Sequence, residues 1–297
     1  MSMSSERPRE RDALAPYRAR LLGLAYRMLG SKSDADDVLQ DAYLRFAEAQ
    51  DVRNPEAFLV TVVTRLCLDR LKSARARREV YVGPWLPEPI VDAAAMSPDA
   101  ATELADDLSF ALLLALDRLS PLERAAFLLH DVFDMPFGDV ARTLDRTEAA
   151  CRQLATRARQ AVRKERPAPP APPESHAKLL AAFHEAATSG DVAKLASLLR
   201  ADAIMLSDGG GRKIAALNPI HGADKIARFF VGVMRKNASQ HKIRIEPATI
   251  NGSFGALVYL DDEFDQTISL AIDGEKIAAI YLVRNPDKLR HVSVRAH

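Results

Sequence analysis

Met135–Arg166 reads MPFGDVARTLDRTEAACRQLATRARQAVRKER, and the spacing of its apolar residues decides how the rest of the chain is read. Phe137, Val140, Ala141 and Leu144 recur at i, i+3, i+4 and i+7, which marks a short helix with one face to bury. Asp145-Arg146-Thr147 interrupts that period. Thr147 suits the cap of a second helix, because its hydroxyl can accept a bond from an orphan amide, and Glu148 in the first turn complements the helix dipole. In that second helix Ala150, Leu154, Ala158, Ala161 and Val162 are expected on an apolar arc. At about 100° per residue, Arg152, Thr156, Arg159 and Arg163 are expected on the opposite arc, offering cations and a hydroxyl to phosphates and base edges. The pair predicts a DNA-reading helix-turn-helix; a surface helix whose arginines are merely solvated is the alternative.

A chain of 297 residues has room for about two or three domains. With 48% hydrophobic and 27% charged residues it is ordinary globular material, not disordered or fibrous. The net charge of +1 conceals basic runs beside acidic ones. Cys67 and Cys151 are too few and too far apart for a disulfide framework or a metal site, and both are expected as small core residues. No metal and no cofactor is expected. No apolar run approaches the roughly 20 residues that span a bilayer, and the N-terminus is polar without a signal-peptide core, so a cytoplasmic protein with no membrane partner is expected.

Residues 1–12 are expected to fray. Leu21, Leu22, Ala25, Met28 and Leu29 repeat at helical spacing up to Gly30, a natural C-cap. Ser33-Asp34-Ala35-Asp36-Asp37 opens a second helix that buries Val38, Leu39, Ala42, Tyr43 and Phe46 and exposes Asp37, Gln40, Asp41 and Arg45. Asn54-Pro55 starts a third, Glu56 to about Arg78, whose second half carries Arg65, Arg70, Lys72, Arg75, Arg77 and Arg78 against Asp69. That many cations at one end of a helix point to a polyanion partner. Tyr81–Asp99, with Trp85-Leu86-Pro87-Glu88-Pro89 inside it, reads as an extended linker. It holds the chain's only tryptophan, which is expected to dock on another domain, the alternative being packing within its own. Leu104–Leu119 reads as a helix, and Ser120-Pro121 starts the next, burying Leu122, Ala125, Ala126, Leu128 and Leu129.

Asp34–Phe46 (DADDVLQDAYLRF), the helix containing Asp69-Arg70-Leu71, and Leu119–Arg124 (LSPLER) leading into the helix-turn-helix occur in that order within Ala13–Lys164. Together they resemble the two domains of an extracytoplasmic-function sigma factor. The resemblance implies that Asp37, Gln40 and Asp41 dock on the clamp helices of core RNA polymerase. It implies that the basic helix captures and melts the minus-ten promoter element, with Arg65, Arg70, Lys72 and Arg75 along the unpaired strand and a base pocket near Val52–Phe58. The helix-turn-helix would read the minus-thirty-five element in the major groove through Arg152, Thr156, Arg159 and Arg163. Core RNA polymerase and promoter DNA are the implied partners, and the free protein is expected to be a monomer.

After Pro167–Pro173 (PAPPAPP), about 120 residues remain. They read as helices at His176–Thr188, Val192–Arg200 and Ile226–Met234. Strands are expected at Ala203–Ser207, Ile214–Leu217, Ile243–Ile245, Ala256–Leu260, Gln266–Ile272 and Lys276–Val283, with Asp208-Gly209-Gly210-Gly211 turning a hairpin between the first two. Helices followed by a meander suggest an α+β cone able to enclose a pocket. The order is similar to the SnoaL-like fold, and a subgroup of sigma factors carries such a domain; its marks here are Trp85–Pro89, Asp208–Arg212 (DGGGR) and Asn285–Leu289 (NPDKL). The whole is then multidomain: two all-α sigma domains, a helical bundle (13–80) and a helix-turn-helix domain (104–166), joined by a linker (81–103). A Pro-rich linker (167–174) leads to an α+β SnoaL-like cone (175–297).

The resemblance implies that the cone replaces a separate anti-sigma protein and regulates in cis. Trp85, Pro87, Asp208, Gly210, Arg212, Asn285 and Asp287 are expected at one regulatory contact. A small-molecule ligand in the cone is a further expectation. His184, Asp208, His221 and Asp261 are the residues a catalytic pocket would draw on, but no nucleophile motif, phosphate loop or metal-ligand spacing accompanies them, and the chain is not expected to be an enzyme. The competing readings are a stand-alone helix-turn-helix regulator and a ligand-binding or enzymatic SnoaL-like domain with a DNA-binding arm.

Overall fold

The computed structural model describes residues 7–91, 108–165 and 173–293, with backbone alone at 7–15, 74–79, 165, 173–177 and 293. The Arg75 side chain, linker residues 92–107 and most of the Pro-rich segment therefore lie outside the described residues. The chain divides into two compact units.

The first unit carries α1 (Arg7–Leu29), α2 (Lys32–Glu48) and α3 (Pro55–Glu79). Helix α1 begins at Arg7, inside the segment expected to fray. It ends as the sequence indicates, with Gly30 at φ 69° donating to the Tyr26 carbonyl at 2.7 Å. Ser31 caps α2 by accepting from the Asp34 amide at 3.1 Å, and Asn54 caps α3 by accepting from the Ala57 amide at 3.0 Å. Leu24, Met28, Val38, Leu39, Leu59, Val63 and Cys67 fill the core between them.

Helix α4 (Phe110–Asp117) starts later than its apolar pattern suggests, because Ser109 accepts from the Leu112 amide and caps it there. Its residues to Leu114 group with the second unit. A capping box between Ser120 and Glu123 opens α5 (Pro121–Phe127), which widens into a π turn over Leu128–Val132. Helix α6 (Phe137–Leu144) stops at Asp145, in the left-handed region at φ 53°, and Thr147 accepts from the Ala150 amide at 3.2 Å to start α7 (Glu148–Glu165).

The buried seam of α7 is Cys151, Ala155, Ala158 and Val162. Ala150, Leu154 and Ala161, expected on the apolar arc, are only half-buried. The true seam lies about a quarter turn away because small residues, rather than Leu154, let α7 approach its neighbours.

In the second unit, α8 (Pro173–Ser189), α9 (Val192–Leu198) and α10 (Ala223–Ala238) pack on a sheet of β1 (Leu199–Asp208), β2 (Ile220–His221), β3 (Ile243–Ile250), β4 (Ser253–Leu260), β5 (Glu263–Asp273) and β6 (Lys276–Val283). The order is β2-β1-β6-β5-β4-β3, antiparallel except for the parallel pair β1 and β6. Helix α11 (Pro286–Ser293) closes the fold.

The expected hairpin at the glycine run does not form. Residues 214–217 are loop, Ile214 and Leu217 are largely exposed, and β1 pairs instead with β2 and β6. One face of the sheet packs Met205, Val258, Ile268, Leu270 and Ile280 against Phe183, Ile226 and Phe230, so the cone is filled by its own side chains. The other face presents Tyr281, Val283 and Ile250, and Leu86 of the linker, Phe110 of α4 and Leu289 of α11 cover it.

Candidate functional site

The fully buried Asp208, at the end of β1, is the centre of a site built on that second face. Its carboxylate accepts from the Tyr81 hydroxyl at 2.6 Å, the Leu86 amide at 2.8 Å and the Lys288 ammonium at 2.7 Å. Lys288, 8% exposed, also donates to the Leu86 carbonyl and lies 4.3 Å from the centre of the Trp85 ring and 4.9 Å from that of Tyr81. A buried ion pair is thus seated on linker backbone and flanked by two linker aromatics. Burial, and then the bond to Asp208, push the Tyr81 hydroxyl well above its ordinary pKa, keeping it a neutral donor.

Asn285, buried, bonds the Tyr81 hydroxyl through Nδ2 at 2.8 Å and accepts from the Asp287 amide at 3.0 Å. Gly210 runs against it: at φ 58°, a Cβ there would stand 2.2 Å from Asn285 Nδ2. The backbone must pass that close, so the glycine run serves packing rather than a turn. Arg212 pairs with Asp287 at 3.0 Å on the exposed rim. Lys213 and Arg284 both hold the buried Asp265, and Arg284 also donates to the Ile214 carbonyl, tying the loop down. Desolvation opposes its charge, but the bonds from Lys213 and Arg284 prevail and hold the Asp265 carboxyl below its ordinary range.

Further along, Asn251 grips the linker. Its Oδ1 accepts from the Ile90 amide at 2.8 Å and its own amide donates to the Ile90 carbonyl at 2.8 Å, beside a bridge between Val91 and Ile250. His291 Nε2 meets the Pro89 carbonyl at 2.7 Å, and Pro87 is buried. The seven residues singled out in the sequence as an interdomain contact therefore gather at one place on the second unit. Tyr81, Asn251, Lys213, Asp265, Arg284, Lys288 and His291 belong with them and escaped the sequence reading. Only Asn251-Gly252, a hairpin dipeptide, and Lys288, inside the NPDKL run, carried a signal.

In the first unit Asp37 and Gln40 are exposed on α2 and Asp41 is half-exposed. Arg70 of α3 reaches back to Asp34, Asp37 and Asp41 at 3.4, 3.5 and 3.2 Å. Arg65 donates to the Thr143 carbonyl of α6 at 3.3 Å, and exposed Lys72 pairs with Asp69. Phe58 meets Phe46 edge-on at 5.9 Å in the region expected to hold a flipped base. In the helix-turn-helix, Arg152 pairs with Glu148 and sits 5.3 Å from the Phe137 ring, while Arg159 donates to Asp131 at 2.5 Å. Thr156 donates to the Arg152 carbonyl, and Arg163 is exposed near the helix end.

The residues a catalytic pocket would draw on do not converge. Asp208 is spent on the linker, His221 is exposed on β2, and Asp261 is bonded to His241 at 2.6 Å. His184 and His241 line an open groove of about 740 Å³ with Val231, Met234 and Ile243. Among the described residues no helix is long and apolar enough to cross a membrane.

The family model for Sigma-70 region 2 matches residues 14–77, and that for Sigma-70, region 4 matches 109–162. The chain is 38% identical to the ECF RNA polymerase sigma factor SigJ of Mycobacterium tuberculosis over 285 residues, 91% of this chain and 90% of the relative. It is 32% identical to the probable ECF RNA polymerase sigma factor SigI of the same species, over 92% of each chain. The crystal structure of the M. tuberculosis SigJ protein superposes with a TM-score of 0.72 at 33% identity, covering 92% of this chain and 95% of that one.

Proposed function

The chain belongs to the extracytoplasmic-function RNA polymerase sigma factors, and from that premise we propose how its surfaces divide the work of starting transcription. It is an alternative sigma factor, with core RNA polymerase and promoter DNA as its partners, and it acts in the cytoplasm, where the polymerase works. Asp37, Gln40 and Asp41 form the polymerase-docking face of α2. Arg65, Arg70, Lys72 and Arg75 serve the melted minus-ten strand, and the helix-turn-helix serves the minus-thirty-five element. The SnoaL-like domain governs both in cis by holding the linker that spaces them.

The observation that carries this regulation is the buried Asp208–Lys288 pair, which bonds the backbone of Leu86 through both an amide and a carbonyl. A domain unconcerned with the linker has no reason to bury an ion pair on it. Covering of the outer sheet face by the chain's own segments supports a free monomer. The groove beside His184 and His241 is of a size to take a small molecule.

Run-off transcription with core polymerase tests the reading. Truncation just before Asn285 removes Asn285 and Lys288 and is expected to change promoter output while leaving core binding intact. Output equal to that of the full chain refutes cis regulation.

A further inference from the structure

The base-reading residues of the helix-turn-helix follow from where α7 is buried. At about 100° per residue from Cys151, Ala155, Ala158 and Val162 fall within about 40° of it, and these are the buried seam. On the same count, Arg152, Arg159 and Arg163 stand at about 80–120°, on one flank, whereas Ala149, Gln153 and Gln160 stand at about 160–200°, at the outward pole. Arg157 lies within about 50° of that pole. The flank arginines are also occupied: Arg152 by Glu148 and the Phe137 ring, Arg159 by Asp131. Gln153 and Arg157 are exposed, and neither is tied to another side chain among the described residues.

A recognition helix presents its N-terminal half to base edges, and both residues lie in the first ten positions of α7. Glutamine pairs bidentately with adenine N6 and N7, arginine with guanine O6 and N7. Four residues apart, the two side chains are separated by about 6 Å along the helix, which spans one or two base steps. We propose that Gln153 and Arg157 are the specificity-determining residues of this helix-turn-helix, reading an A·T and a nearby G·C pair in the major groove, and that Arg159 is a positioning residue locking α7 to the π turn through Asp131. The proposal rests on the helix-turn-helix being the promoter reader.

The test uses the full chain reconstituted with core RNA polymerase and a pool of duplexes randomised across the upstream promoter element, with the bound duplexes sequenced. Gln153→Ala is expected to flatten the preference at one A·T position and Arg157→Ala at one G·C position within two steps, each by roughly 5- to 150-fold in discrimination. Arg163→Ala is expected to lower recovery of every sequence alike, as loss of a phosphate contact does. Arg159→Ala is expected to leave the preferred sequence intact while lowering the melting temperature of the free protein. Preferences unchanged in both Gln153→Ala and Arg157→Ala, or flattened by Arg159→Ala, overturn the proposal. A wild-type complex that selects no sequence would instead overturn the promoter-reader premise.

Discussion

Replacing Lys288 by methionine isolates the linker latch, because methionine keeps the length and apolar stem of the side chain and deletes its charge. The fully buried Asp208 would keep two neutral donors, the Tyr81 hydroxyl and the Leu86 amide, and lose its ion partner. Removing one member of a buried pair costs about 3–5 kcal/mol, and the surviving donors place Lys288→Met near the lower end. Asp208→Asn should cost less, about 2 kcal/mol, since the ammonium left behind still faces two aromatic rings, each worth about 0.5–2 kcal/mol. The double variant leaves no uncompensated charge, so its cost should fall short of the sum by more than about 1 kcal/mol.

The assay is urea unfolding of the full chain followed by tryptophan emission. Trp85 is the single tryptophan of the chain and lies 4.3 Å from the Lys288 nitrogen, so its signal reports this site. Lys288→Met should lower the midpoint of that transition and open the indole to quenching by acrylamide. A midpoint within about 0.5 kcal/mol of wild type, with quenching unchanged, would refute the claim that the pair fastens the linker.

Asn251→Ala removes the acceptor of the Ile90 amide, which is buried. It should cost about 1–3 kcal/mol and speed hydrogen exchange at Ile90; protection equal to wild type would contradict the second grip. The Asp265 carboxyl is held below its ordinary range in the folded chain, so it binds its proton less readily there than when unfolded. Its contribution should be complete above about pH 4 and fade as pH falls toward the lowered folded value, and Asp265→Asn should flatten that acid limb in denaturation measured between pH 3 and 6.

The local features of the chain were legible, because caps and helix periods depend on neighbours within one turn: Gly30, Asn54, Ser120 and Thr147 all act where their residue types suggest. The face of α7 was read a quarter turn off, since a seam of Cys151, Ala155 and Ala158 is hardly more apolar than its surroundings. Asp208-Gly209-Gly210-Gly211 looks like a turn to any local rule, yet the reason for Gly210 is Asn285, far away in sequence. Trp85 signalled a docked linker, but its partners Lys288 and Asn251 could not be matched to it without the sheet between them. One signal was available and unused: β6 reads KIAAIYLV, apolar on both faces, as a strand must when both are covered.

That two-sided strand has an energetic consequence for regulation. Lifting the linker would expose Leu86 and Ile90, both buried, at about 1.5–3 kcal/mol each, and would unpair Asp208 from Lys288 at about 3 kcal/mol. Opening then costs about 6–9 kcal/mol, which leaves roughly one molecule in ten thousand or fewer open at rest, since each 1.4 kcal/mol is tenfold. Thermal fluctuation does not set the state of this linker. Whatever frees it must supply that energy, and a polymerase interface of nanomolar affinity, about 12 kcal/mol, is sufficient only if it spends most of its gain on the opening. The SnoaL-like domain therefore acts as a competitor for linker segment 81–91, and its influence on transcription is set by how much of that segment the polymerase-bound state also requires.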